Sequence, residues 1–261
     1  MNLLFQLRAI WGIDVIRIKR VDDLYKAFTN TPSISATHLI DLYGVKYITS
    51  VTPIEDKNKF ELIYARLENL QGNREYLLKE NTIKLYKNHS PLPRAWLVKD
   101  YKVMDSNAML ARMTNKDFRP DREVLLEEKP KWANLPIPPL QKGGEGGINK
   151  GRVSGREPYS RLPQKVQFVS ENNNRLALQA EVVEDSLLVL SDTYYPGWKV
   201  FVNGERVKIY RADYAFRAIP LSPGTHRIEF IYDPLSFKLG ALFTILGIIG
   251  CAAIYLSKKN R

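Results

Sequence analysis

From Val166 to Tyr232 hydrophobic and polar positions alternate in short runs: VQFVS, RLALQAEVV, SLLVLSD, WKVFV, RVKIYR, YAFRAI and HRIEFIY. A period of two is that of a strand with one face buried. The runs are broken by ENNN, a short acidic link, YPG, NG, AD and SPG. Short strands separated by turn chemistry predict a β-sandwich over residues 164–234. Asn203 and Gly204 both tolerate positive φ, which predicts a type I′ hairpin between WKVFV and RVKIYR. In Tyr195-Pro196-Gly197-Trp198, proline fixes φ and glycine accepts positive φ, so a type II turn is expected. That turn lets Tyr194, Tyr195 and Trp198 cover one end of the sandwich.

The pattern before residue 131 is mixed. Val21 to Phe28 has helical spacing, with Asp22 and Asp23 favourable in a first turn. Ser35 to Tyr43 reads as a second helix, capped by Ser35 and ended by Gly44. Val45–Val51, Glu80–Lys87, Arg94–Val98 and Glu123–Glu127 read as strands, and Asp105–Met113 as a short helix. Phe60 to Leu70 is apolar without a clear period. Residues 1–130 are therefore expected to form an α+β region. Residues 131–163 are dense in proline and glycine with few apolar anchors, the composition of a linker or surface insertion. GGEGG within it is no phosphate loop, since no strand leads in and no Gly-Lys-Ser/Thr follows.

Leu239 to Leu256 carries no charge. At the helical rise this run spans roughly 27 Å, close to the ~30 Å hydrocarbon core of a bilayer. It predicts one transmembrane helix over 237–256, with Tyr255 as an interfacial anchor. Lys258, Lys259 and Arg261 follow it. The positive-inside tendency then places the tail 257–261 in the cytoplasm and the main body outside, in a single-pass arrangement at the cell membrane. The first twenty residues do not read as a secretory signal: Gln6 and Arg8 interrupt the apolar stretch and no small-residue cleavage site follows. Either this is a tail-anchored protein facing the cytoplasm, against its flanking charges, or it is the end of a longer polytopic protein whose upstream helices deliver the body outside.

A net charge of +11 favours anionic partners, namely headgroups or phosphate-bearing polymers. The basic residues are scattered, and no nucleic-acid partner is expected. The single cysteine, Cys251, lies in the apolar run, which excludes an internal disulfide and a thiolate zinc site. His38, His89 and His226 are far apart, so neither a metal nor a cofactor is expected. The adjacent acidic pairs, among them Asp22-Asp23 and Glu127-Glu128, make no acid–base constellation by sequence alone, since neighbours on a strand point to opposite faces.

The segment YYPGWKVFVNGERV, followed by RADYAFRAIPLSPGTHRIEFIYDP and an apolar helix, resembles the C-terminal end of the YfhO family of bacterial membrane proteins. Upstream, IDLYGVKYITS, IKLYKNHSPLPRAWLV and FRPDREVLLEE are similar to earlier segments of that family, as is IWGIDVIRIKRVDDLYKAF. The family resembles GT-C-type glycosyltransferases, which use lipid-linked sugar donors. The resemblance implies that catalytic carboxylates lie between N-terminal membrane helices that this chain does not carry. It therefore implies a non-catalytic outer domain plus the last helix, supporting glycan or lipid-linked sugar handling at the cell envelope. No catalytic residue is carried over. For glycan contact, the aromatic side chains expected to stack on sugar rings are Tyr194, Tyr195, Trp198, Tyr214 and Phe216, provided they are exposed. The alternative from the residues is a stand-alone, membrane-anchored binding or scaffolding module whose basic surface meets anionic headgroups or polymers. The partners expected are the lipid bilayer, a polytopic core or other transmembrane helices, and an anionic or glycan polymer.

Overall fold

A computed structural model describes residues 18–31, 33–65, 83–132 and 165–259. Nearly all of the predicted linker lies outside the described residues, as do most of the apolar stretch after Ala65 and the first residues of the predicted strand at Glu80. Three sheets are present among the described residues. Their strands are β1 (Tyr47–Ser50), β2 (Phe60–Ala65), β3 (Lys84–Asn88), β4 (Ala95–Val98), β5 (Asp100–Val103), β6 (Glu123–Leu126), β7 (Lys165–Asn172), β8 (Arg175–Val182), β9 (Ser186–Leu190), β10 (Trp198–Val202), β11 (Glu205–Val207), β12 (Tyr210–Ala212), β13 (Phe216–Leu221) and β14 (Gly224–Tyr232). The helices are α1 (Lys19–Thr29), α2 (Leu39–Leu42), α3 (Ser106–Met113) and α4 (Leu235–Lys259).

The expected sandwich is formed by a five-stranded sheet, β11-β10-β14-β8-β7, facing a six-stranded one, β4-β9-β13-β12-β6-β5. Strict alternation in β8 puts Leu176, Leu178, Ala180 and Val182 inside, opposite Ile228 and Phe230 of β14 and beside Val200 and Val202 of β10. These pack on Leu188, Leu190, Ile219 and Leu221 of the other sheet. β9 and β13 are buried on both faces. Their second faces, Leu187 and Val189 with Phe216 and Ala218, meet Leu24 of α1, Leu39 and Leu42 of α2, and Met109 and Met113 of α3. The continuous run SLLVL is the sequence mark of this central layer, because a strand covered on both sides has no polar face to keep. The layers are therefore helices, six-stranded sheet and five-stranded sheet. The middle sheet draws β4, β5 and β6 from before residue 133 and β9, β12 and β13 from after 164. The α+β region and the sandwich share the helix-facing core, to which both contribute buried residues.

Four local readings are refined by the structure. RVKIYR is two strands in two sheets: β11 pairs with β10, and β12 pairs with β13 and β6. The chain changes layer at Lys208-Ile209, and a period of two is the same on either side of such a crossing. The strand read from Tyr214 begins at Phe216, because Asp213 and Tyr214 turn with positive φ. β5 pairs parallel to β6, although DYKV carries too little apolar signal to announce it. The helix read from Ser35 is only the four residues of α2; the Ser35 hydroxyl meets Ser33 Oγ at 3.2 Å and caps nothing. The turn readings hold. Asn203 and Gly204 have φ of 53° and 89° between paired Val202 and Glu205, and Gly197 has φ of 103°.

The small sheet β1-β3-β2 is fastened to the rest through Asp41, which is buried in α2. Its carboxylate accepts from Lys59 Nζ at 2.7 Å and Asn88 Nδ2 at 2.9 Å, with His38 Nδ1 3.0 Å away. Its carbonyl accepts from Gly44 and Leu92. Asp41→Asn is expected to destabilise the chain by about 2 kcal/mol, read by urea unfolding, because Lys59 then loses its charged partner in a largely buried place.

Candidate functional site at the foot of the apolar helix

α4 starts two residues after β14 ends, and the join is tied to the YPG turn. Asp233 N donates to Gly197 O at 2.8 Å. A Cβ on Gly197 would lie 3.0 Å from both Pro234 Cβ and Tyr232 Cε2, so glycine is needed there for space as well as for φ. The Asp233 carboxylate takes Lys199 Nζ at 2.5 Å and Lys238 Nζ at 2.8 Å. Hydrogen bonds from those two lysines, Lys199 first, hold its pKa down at about 2. Beside this junction the Trp198 and Tyr232 rings lie 5.3 Å apart, and Tyr195 and Tyr232 6.4 Å apart. Tyr195 is 47% exposed.

Behind Trp198 the end of the inter-sheet core is closed by charge. Arg217, only 3% exposed, lies 4.4 Å from the Trp198 ring centre and 5.6 Å from that of Phe230. Its Nη2 reaches Asp192 Oδ2 at 3.2 Å. Arg94 grips the same carboxylate with two bonds, 2.7 and 2.8 Å, and reaches Glu171 at 2.8 Å. Burial, opposed by Asp192 and reinforced by Arg94, lowers the Arg217 pKa to about 10, so it stays a cation at neutral pH. Burial also works against the charge on Arg94, but its bonds to Asp192 and Glu171 outweigh that and raise its pKa. Arg217 Nη1 has no hydrogen-bond partner among the described residues. Two aromatic faces beside the guanidinium offset that loss through cation–π attraction.

The five aromatic residues singled out in the sequence divide. Tyr195 and Trp198 stand together at the foot of α4. Tyr194 is partly exposed on another side of the turn, under the Arg211 guanidinium at 4.5 Å. Tyr214 and Phe216 are 7% and 2% exposed. Phe216 meets Tyr43 edge-on at 5.5 Å inside the helix-facing core. Tyr214 OH donates to Asp23 at 3.0 Å and its ring lies under Arg20. Neither ring presents a face to a sugar, so these two leave the stacking set: inward positions of the central sheet are covered on both sides. Sequence reading missed Arg217, Asp192 and Arg94. The signal available was an arginine interrupting the apolar run YAFRAI, which a buried strand tolerates only beside a counter-charge.

A second polar feature is the hairpin bend between β12 and β13. Asp213 and Tyr214 adopt φ of 42° and 68°. Asp213 Oδ1 accepts from Leu125 N at 2.9 Å, and Asp213 N donates to Leu125 O at 2.9 Å. Oδ2 is buried without a partner among the described residues. Burial first, with a lesser push from Glu123, raises this carboxyl to about 7. The bend seals β6 to β12, where the ladder itself pairs only Ala212 with Leu126. No cluster of three or more potential metal ligands occurs among the described residues.

Residues 157–244, from just before β7 into the start of α4, match the sequence profile of the family described as "Bacterial membrane protein YfhO". This segment is similar to the YfhO family. It is similar to "Uncharacterized protein YfhO" of Bacillus subtilis (strain 168), with 31% identity over 97 residues, which is 37% of this chain. The match spans 11% of the length of that relative. No solved structure matches the chain. The matched segment runs into the start of α4, whose stretch Leu235–Ala252 has a mean hydropathy of 1.9 with none of it buried. Family and helix together make this a membrane-associated protein.

Proposed function

We propose that this chain is the non-catalytic, extracytoplasmic portion of a YfhO-type membrane protein and supports the handling of glycan or lipid-linked sugar at the cell envelope. α4 is its transmembrane anchor, with the C-terminus in the cytoplasm. The observation that carries the reading is the place of Tyr195 and Trp198: partly accessible rings at the foot of an apolar helix, where anything they hold lies at the membrane surface. Tyrosine and tryptophan faces suit the apolar faces of sugar rings, and their polar edges tolerate water. Tyr194 lies on another side of the turn, under Arg211, and stands apart from that surface. Chemistry, on this reading, is supplied by carboxylates elsewhere in the membrane assembly, and no residue of this chain is assigned to it.

The chain reconstituted in lipid nanodiscs should bind a polyprenyl-phosphate sugar, and Tyr195→Ala should weaken that binding by about tenfold, equivalent to about 1.4 kcal/mol. Equal affinity for the sugar-free polyprenyl phosphate, lost as salt rises, would instead favour the scaffolding module that meets anionic headgroups. Protease added outside intact spheroplasts should remove the folded body. Protection there, with digestion only after lysis, would overturn the orientation.

A further inference from the structure

We infer that the aromatic turn is a second membrane contact: Tyr195, with the adjoining edges of Trp198 and Tyr232, is seated in the headgroup layer of the leaflet where α4 begins, which holds the folded body at a fixed tilt on its helix. The inference rests on α4 spanning the bilayer and is independent of which side the body faces and of any sugar.

Chain geometry sets the distance. Tyr232 ends β14 and Leu235 begins α4. Three residue steps reach at most about 11 Å even when fully extended. Leu235 and Phe237 are 68% and 75% exposed, so the first turn of α4 already offers apolar surface for lipid to cover. The charges at Asp233 and Lys238 mark the level at which hydrocarbon gives way to polar groups. The headgroup region on each side of the core is only about 5–8 Å deep. Tyr195 and Trp198, packed on Tyr232, fall at that level, and these are the residue types enriched there.

The lock makes the contact a matter of structure rather than of chance collision. A free two-residue linker would let the body swing away from the surface. Here the Asp233–Gly197 backbone bond, the Gly197–Pro234 contact and the carboxylate shared by Lys199 and Lys238 tie the turn to the helix start. Two lysines against one aspartate also leave one positive charge at the level of the lipid phosphates.

The test uses the full chain in vesicles of phosphatidylcholine and phosphatidylglycerol. In a Cys251→Ser background a nitroxide is placed at Tyr195→Cys, and at Glu205→Cys on the exposed hairpin at the far end of β10. Power saturation then compares collisions with oxygen and with a water-soluble nickel chelate. The label at 195 is expected to be several-fold less accessible to nickel than the one at 205, and to lie at headgroup depth. Equal nickel accessibility at the two positions would overturn the membrane contact. Gly197→Ala in the same background is expected to raise mobility and nickel accessibility at 195 while leaving those at 205 unchanged. Unaltered depth at 195 in that variant would overturn the lock.

Discussion

Urea unfolding of the native chain and of Asp213→Asn, followed from about pH 4 to about pH 8, is expected to show the native chain losing stability relative to the variant steadily up to about pH 7, after which the two run parallel. The native carboxyl is fully buried, accepts one bond from Leu125 N and has an oxygen without a partner among the described residues. Burial raises it from 3.8 to about 7. The folded state thus holds the proton more tightly than the unfolded chain. This group's stabilising contribution is complete below about pH 4, shrinks as pH climbs and is gone above about pH 7. At about 1.4 kcal/mol per pH unit the loss amounts to roughly 4 kcal/mol. Asparagine keeps the acceptor for Leu125 and tolerates the positive φ of this bend, but it does not titrate. Its cost relative to the native chain should be greatest in acid and should shrink or reverse near neutrality. Parallel curves through the whole range would show that Asp213 ionises as an ordinary aspartate. Asp233, held down at about 2, works in the opposite sense and only in acid: its contribution is lost as pH falls through that value, below the window used here.

The contrast between what could be read from the chain and what could not follows from the range of the signals. Alternation and turn chemistry are local, so β8, β10 and β14 and both glycine turns were legible. The helix α3 was legible for the same reason, since Asp105 caps it by accepting from Asn107 and Ala108. Sheet membership is not local. Nothing in RVKIYR distinguishes a strand that stays in its sheet from one that crosses at Lys208-Ile209 into the next. The composite central sheet, with β4 beside β9, depends on residues nearly a hundred positions apart. The site divides in the same way. The aromatic turn announced itself by composition, but the burial of Tyr214 and Phe216 depends on α1, α2 and α3 covering the far face of β13. Arg217, Asp192 and Arg94 meet only once three strands from two chain regions are assembled.

That assembled charge cluster supplies the other large expected effect. Asp192→Ala should destabilise the chain by about 3–5 kcal/mol, because it leaves a buried cation without its counter-charge. Arg94 retains Glu171 at a more exposed position, whereas Arg217 retains the rings of Trp198 and Phe230 and a 3.4 Å bond from Nε to the backbone carbonyl of residue 192, with no counter-charge. The two guanidiniums would then face one another without the carboxylate between them. Arg217→Met removes the charge and fills the same slot with an apolar chain, so it should cost far less than Asp192→Ala. The double variant should therefore be more stable than Asp192→Ala alone, a non-additivity that two independent sites would not show. Thermal unfolding of the three variants in one detergent reads the cycle. Strict additivity would mean that Asp192 stabilises the end of the sandwich through Arg94 and not through the buried arginine. The cycle also bears on the aromatic turn. Trp198 is held from behind by Arg217 and from the front by Tyr232, so loss of the Asp192–Arg217 pair should loosen the ring that faces the membrane, whereas Arg217→Met should leave it in place.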